Sequence, residues 1–152
     1  MKIRTEISED FDEEIIIRSK HMNDKISRLQ SLISDFLGGS AEIMLQLGNA
    51  DYFIPFRDIL FFETVQNRTT AHTKDGMYYT DYKLYELEAV LPHTFLRASK
   101  SCILNTLRVS SVSRSLTGPS EVFFSPSPKK AYVSRMYYKS LIERINETRL
   151  LK

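Results

Sequence analysis

Phe95-Leu96-Arg97-Ala98-Ser99-Lys100-Ser101-Cys102-Ile103-Leu104-Asn105 is the stretch on which the reading of this chain turns. Phe95–Ala98 reads as a short strand, and Cys102-Ile103-Leu104 as an apolar, buried run. Between them lies a loop, Ser99-Lys100-Ser101, that offers a mobile cation flanked by two hydroxyl groups. A helical pattern precedes the stretch from about Tyr82 to Leu91, with Leu84, Leu87, Val90 and Leu91 on its inner face, and Pro92 stops it because proline has no N–H to donate.

Working outward, the pattern is one of short strands. Ala41–Leu47 alternates, Asp51–Ile54 follows a Gly48-Asn49 turn, and Ile59–Val65 is bulky, aromatic or β-branched. Asn67–His72 and Met77–Thr80 form a hairpin about Lys74-Asp75-Gly76. Beyond the opening stretch come Val109–Val112, Glu121–Phe124 and Ala131–Val133, separated by Gly118-Pro119 and Ser125-Pro126-Ser127-Pro128 turns. Ser134 begins a terminal helix whose apolar face is Met136, Tyr137, Leu141, Ile142 and Ile145. At the other end, Lys2–Ile7 and Glu13–Arg18 are β-like and lead into an amphipathic helix capped by Asn23 or Asp24, with Ile26, Leu29, Leu32, Ile33 and Phe36 in a stripe. The expected organisation is mainly β (α+β), with a ββα unit over residues 1–37, a boundary at Gly38-Gly39-Ser40 and a second domain over 41–152. A two-stranded unit is marginally stable alone, so part of its stripe is expected to pack on the second domain or on another subunit.

Composition bounds the function. With 152 residues, 42% hydrophobic and 26% charged, the chain can bury a core, whereas a receiver domain plus an output domain would not fit. Neither a signal peptide nor an apolar run of bilayer length is present, and the single cysteine, Cys102, makes no internal disulfide; a cytoplasmic location is expected. The net charge of +2 conceals an asymmetry, because from Arg97 onward there are 11 Lys+Arg against 3 Asp+Glu. Such a localised excess suits a polyanion, since each neutralised phosphate releases counterions; the plainer alternative is a solvated basic surface.

Catalytic chemistry has no foothold in the sequence. His21, His72 and His93 stand at metal-ligand spacing neither from one another nor from Cys102, so neither a metal nor a cofactor is expected. Gly38-Gly39 lacks the lysine and hydroxyl of a phosphate loop, no nucleophile elbow occurs, and Glu86 and Glu88 point in different directions on one helix. The expectation is therefore not an enzyme, with no catalytic residues.

Three ordered stretches carry a resemblance. Asp58-Ile59-Leu60-Phe61-Phe62-Glu63 with its hairpin, Leu84…Leu87…Leu91-Pro92…Phe95 to Asn105, and Val133-Ser134-Arg135 together resemble the LytTR DNA-binding domain of bacterial response regulators over about residues 41–148. This chain has Ser99 where the family often has histidine. The resemblance implies an elongated fold of small β-sheets and short helices in which loops, not a recognition helix, enter successive DNA grooves. It also implies that Asn67, Lys100 and Arg135 match the positions from which family members reach DNA, with Gln66 or Arg68 as alternatives to Asn67.

The residue chemistry agrees. Arg135, at the start of a helix, can present its planar fork to guanine O6 and N7 or grip a phosphate; Asn67 can read adenine; Lys100 and Ser101 suit the backbone. Lys129, Lys130, Lys139 and Arg114 are expected to add phosphate contacts, while Arg97 is expected to pair with an acid such as Glu63 and Asn105 to bond turn backbone. The aromatics Phe61, Phe62, Phe95, Phe123 and Phe124 are read as core. The expected partner is duplex DNA with repeated half-sites, bound by a homodimer, and similarity to stand-alone LytTR regulators implies a membrane-protein inhibitor. The rival reading is a protein-interaction module or an RNA-binding β-module, the latter predicting aromatics exposed on a sheet face.

Overall fold

Ile59-Leu60-Phe61-Phe62 is a continuous apolar run, and such a run in a strand needs cover on both faces. In the computed structural model it has that cover. The structure describes residues 2–12, 14–37 and 41–148, with the side chains of 35–37 outside the description. The strand β3 (Ile59–Val65) follows the hairpin β1 (Glu42–Leu47) and β2 (Ala50–Pro55), and is followed by β4 (Arg68–Thr73) and β5 (Met77–Thr80). After a helix, Leu84–Val90, come β6 (Phe95–Ser99), β7 (Cys102–Asn105), β8 (Val109–Ser113), β9 (Ser120–Phe124) and β10 (Lys130–Val133), then a helix over Arg135–Thr148. With the N-terminal helix α1 (Asp24–Leu37), these two helices are α2 and α3. A seven-stranded antiparallel sheet has the order β2-β1-β5-β4-β3-β7-β6, and a three-stranded one the order β10-β9-β8.

Successive side chains of β3 point to opposite faces, so Phe61 and Phe62 build two cores. Phe61 stacks on Phe124 of the small sheet at 5.3 Å between ring centres, within a cluster that includes Leu104, Val122, Val133, Leu141 and Ile145. Phe62 lies against Phe95 at 6.0 Å, in a cluster with Ile43, Leu45, Leu84, Leu87 and Ile103. Full burial of each ring is worth about 1.5–3 kcal/mol, so β3 is the shared wall of both layers. Asn105 ties the layers at the edge: its amide donates to the Ile59 carbonyl at 2.9 Å and its oxygen accepts from the Leu107 N–H at 3.2 Å. That turn-bonding role is the one expected of it. Phe61, Phe62, Phe95 and Phe124 are buried and Phe123 half-buried, as core aromatics should be.

Three expectations are corrected. Lys2–Ile7 and Glu13–Arg18 form no strands among the described residues, Glu13 itself lying outside them; Ile3, Ile7, Ile15 and Ile16 are exposed, and no neighbouring strand supplies the ladder bonds that β-propensity alone cannot. The helix of the expected ββα unit does form, with the Asn23 carboxamide oxygen accepting the Ile26 N–H at 3.1 Å. Its Arg28 reaches Glu147 of α3 at 3.7 Å. The second correction is β7, an apolar run that pairs with both β3 and β6 and is a strand because it fills the sheet between them. The third is the partner of Arg97, which is Glu88 and not Glu63; Glu63 bonds His72 at 2.8 Å instead. Arg97 stands opposite Ile103 in the ladder, on the face that α2 covers, whereas Glu63 stands opposite Cys102 on the other face. The expected boundary, Gly38-Gly39-Ser40, lies outside the described residues, as do Arg149–Lys152 and the Phe36 side chain.

Candidate nucleic-acid interface

Antiparallel pairing decides which turns share an end. β3 and β4 close with Val65 opposite Arg68, leaving Gln66 and Asn67 as a two-residue turn at φ +50° and +63°. Asparagine tolerates this left-handed region better than most residues, and the turn's backbone twist matches the strands. Glu63 of β3 stands opposite Cys102 of β7, so the β6–β7 turn at Lys100-Ser101 lies beside the Gln66-Asn67 turn; the Thr64 N–H donates to the Ser101 carbonyl at 2.9 Å. The Ser134 N–H donates to the Ala98 carbonyl at 2.9 Å, bringing the first turn of α3 to the same end. Val133 pairs with Ser120 and Ser113 with Glu121, so the 114–119 loop of the small sheet joins them. Strands β4, β3, β7 and β6 are neighbours, which puts β4 and β6 about 14 Å apart.

The structure thus brings together Asn67, Arg68, Lys100, Ser101 and Arg135, with Lys139 one helical turn farther along α3. Arg68 lies over the Tyr79 ring at 3.5 Å, and Arg114 lies 5.2 Å from the Tyr138 ring of α3. Among the described residues none of Arg68, Lys100, Arg114, Arg135 and Lys139 forms an ion pair. Other members of the basic third do: Arg97 with Glu88, Arg108 with Asp58 and Lys130 with Glu121. The first turn of α3 adds a second electrostatic oddity. It carries Arg135 and no acidic residue, although the positive end of a helix favours an anion. A phosphate would satisfy both the exposed N–H groups and the guanidinium.

Lys129 and Lys130 do not join this group. The Lys129 ammonium donates to the Gly76 carbonyl at 2.5 Å, in the β4–β5 turn at the opposite end of the sheet, and partial burial pushes its pKa down. Lys130 begins β10, a strand's length from Arg135, and its ammonium donates to Glu121 at 3.2 Å, which raises its pKa. The 114–119 loop, which in the sequence offers the Gly118-Pro119 turn signal and Arg114 as an additional cation, lies at the same end as Asn67 and Lys100. Its signal is Arg114-Ser115…Thr117-Gly118, a cation with hydroxyl groups in a loop.

Ser99 has an internal duty. Its hydroxyl accepts the Ser101 N–H at 3.2 Å, and a bulge in β6 sets it opposite Cys102 while leaving the Ala98 carbonyl for α3. Cys102 is buried, and burial pushes its thiol up to about 12, so it stays protonated and inert. No group of three or more metal-ligating side chains occurs among the described residues, and no described helix is long and apolar enough to cross a membrane.

A family model described as the LytTr DNA-binding domain matches residues 49–146. The chain belongs to the LytTR family. Its DNA-binding domain accordingly contains every turn of the row just described. Uncharacterised HTH-type transcriptional regulators of Staphylococcus aureus, from strains RF122 and NCTC 8325, are 28% identical over 132 residues, which is 87% of this chain and 88% of theirs. A solved LytTr DNA-binding domain from Bacillus cereus shares the LytTR fold, with a TM-score of 0.64 at 18% identity over 70% of this chain and 98% of that one. No two of the described helices in this LytTR protein follow one another in sequence, and the end of the sheet that carries Asn67, Lys100 and Arg135 is made of turns and one helix start.

Proposed function

We propose that this LytTR protein regulates transcription by reading a duplex sequence through the end of the sheet that carries Asn67, Arg68, Lys100, Ser101, Arg114, Arg135 and Lys139. The observation that carries the reading is that the ion-pair-free cations and the left-handed Gln66-Asn67 turn share one end of the sheet. Exposed cations without carboxylate partners retain their full charge for phosphates, and turns narrower than a helix fit a groove edge-on. In this reading Asn67 and Arg135 face base edges, where an amide suits adenine and a guanidinium fork suits guanine. Lys100, Ser101, Arg68, Arg114 and Lys139 hold the backbone. Two copies bind repeated half-sites, residues 1–37 form a control or dimerisation unit ahead of a DNA-binding unit over 41–152, and a membrane protein restrains the regulator in a cytoplasmic setting. The Staphylococcus aureus relatives, named as transcriptional regulators over a comparable length, support the regulatory part of this reading. It assigns the chain no catalytic step.

Selection from random duplex DNA followed by a salt titration tests it. A repeated motif should be enriched. Lys100→Ala should weaken the selected duplex and lower the slope of log K against log salt by about one, whereas Arg135→Ala should also relax the preference at one base position. Parent-like binding by both variants would overturn the assignment.

A further inference from the structure

Lys100 sits on a turn, and a turn has to be held if its cation is to meet one phosphate rather than sweep past several. The means of holding it are visible. Arg97 lies two residues after Phe95 along β6 and so shares its face, toward α2, where Glu88 accepts from its guanidinium; the Nε–Oε1 distance is 2.8 Å and a second nitrogen of the same guanidinium also donates to that oxygen. A third nitrogen donates to the Lys100 carbonyl at 2.8 Å. With the Ser99 hydroxyl accepting the Ser101 N–H at 3.2 Å, both polar groups of the Lys100–Ser101 peptide unit are bonded. The Arg97 side chain is only 19% exposed, so this bridge stands partly out of water.

We propose that Arg97 is a positioning residue for DNA recognition, clamped to α2 by Glu88 and fixing the peptide plane that presents Lys100 and Ser101. The inference rests on the DNA-binding reading of the same turn and adds a role for two residues, Arg97 and Glu88, that do not themselves face the duplex. The guanidinium is suited to it because its planar fork spans two acceptors in fixed directions; an ammonium is a point donor and cannot hold both in that geometry. A consequence is that displacement of α2 is felt at the DNA-facing end, since one side chain joins the helix to the turn.

The test is a set of double-mutant cycles on the full chain, with the duplex enriched by the parent protein as probe and a scrambled duplex of equal length as reference. Glu88→Ala, Arg97→Lys and Lys100→Ala are measured singly and as pairs with Lys100→Ala, together with Tm. Glu88→Ala and Arg97→Lys should each weaken the selected duplex about fivefold, roughly 1 kcal/mol, and should cost less than about twofold once Lys100 is alanine, because the group they position has gone. The amide signals of Lys100 and Ser101 should broaden or shift in both variants, a change that a bare loss of stability would not confine to the turn. Equal losses in the presence and absence of the Lys100 side chain would overturn the proposal, as would unchanged affinity in the single variants. Should Arg97→Lys fail to fold, Glu88→Ala on the exposed face of α2 decides alone. If Lys100→Ala weakens binding while the clamp variants do not, the clamp is wrong and the DNA reading stands. If no duplex is enriched, or Lys100→Ala and Arg135→Ala both bind like the parent, the DNA reading itself fails and takes the clamp with it.

Discussion

His72 shows how a side chain at the seam between the two layers is tuned. Its ring stacks on Phe61 at 4.3 Å between centres and bonds Glu63 at 2.8 Å. Burial lowers its pKa below the ordinary 6.5; Glu63 opposes that shift and the nearby Lys129 charge adds to it. Because the folded state resists the proton more than the unfolded chain does, the stability contributed by neutral His72 is complete above about pH 6.5 and is lost as pH falls below it. The expected outcome is that Tm drops more steeply between pH 7.5 and 5.5 in the parent than in His72→Gln; parallel Tm profiles would refute it. The same scale explains Ser99. Its hydroxyl accepts the Ser101 N–H at 3.2 Å and so closes its own turn.

At the scale of elements, α3 has two tasks that one amphipathic pattern serves. Leu141 and Ile145 are buried against the small sheet and β6, and this docking holds the helix start beside the Ala98 carbonyl. The opposite face carries Arg135 and Lys139, spaced i and i+4 and therefore on one side of the helix. Leu141→Ala should cost about 2–5 kcal/mol in urea unfolding, because it removes a fully buried side chain and leaves a cavity. It should also weaken DNA binding in the folded fraction, since Arg135 loses its platform. A loss under about 1 kcal/mol would mean that α3 is not anchored there. The β6 bulge is a comparable device, turning one strand so that it serves β7 with its ladder and α3 with a spare carbonyl.

For the whole molecule, the distribution of charge matters more than its sum. Among the described residues, the basic third divides into cations committed to ion pairs or backbone, such as Arg97, Arg108, Lys129 and Lys130, and cations left for solvent at one end of the sheet. Only the second group should appear in the salt dependence of DNA binding. Lys129→Ala combined with Lys130→Ala should leave the slope of log K against log salt within about 0.5 of the parent's, whereas Arg114→Ala combined with Lys139→Ala should lower it by about two. A slope reduced equally by both pairs would show that the whole basic third, and not one end, meets the duplex.

Much of this was legible beforehand for a local reason. Alternation along Ala41–Leu47, the bulky run of Ile59–Val65, the stop at Pro92, the Ser99-Lys100-Ser101 loop and the basic excess after Arg97 are properties of neighbouring residues, and they determined the mainly β class, most of the strands and the resemblance to LytTR domains. Pairing is not local. Lys2–Ile7 has strand-like composition yet no partner among the described strands, while Cys102–Asn105 carries a weaker strand signal but is held on both sides by β3 and β6. Which cations remain available was likewise decided only in three dimensions: Lys129 and Lys100 look alike in sequence, but one meets the carbonyl of Gly76, 53 positions earlier, and the other stands on a turn. The sequence alone determined that a β-rich, basic-ended domain with loop-borne cations would form. The tertiary structure decided which loops share an end, because strand register, set by the burial of Phe61 and Phe62 on opposite faces, places residues far apart in the chain side by side.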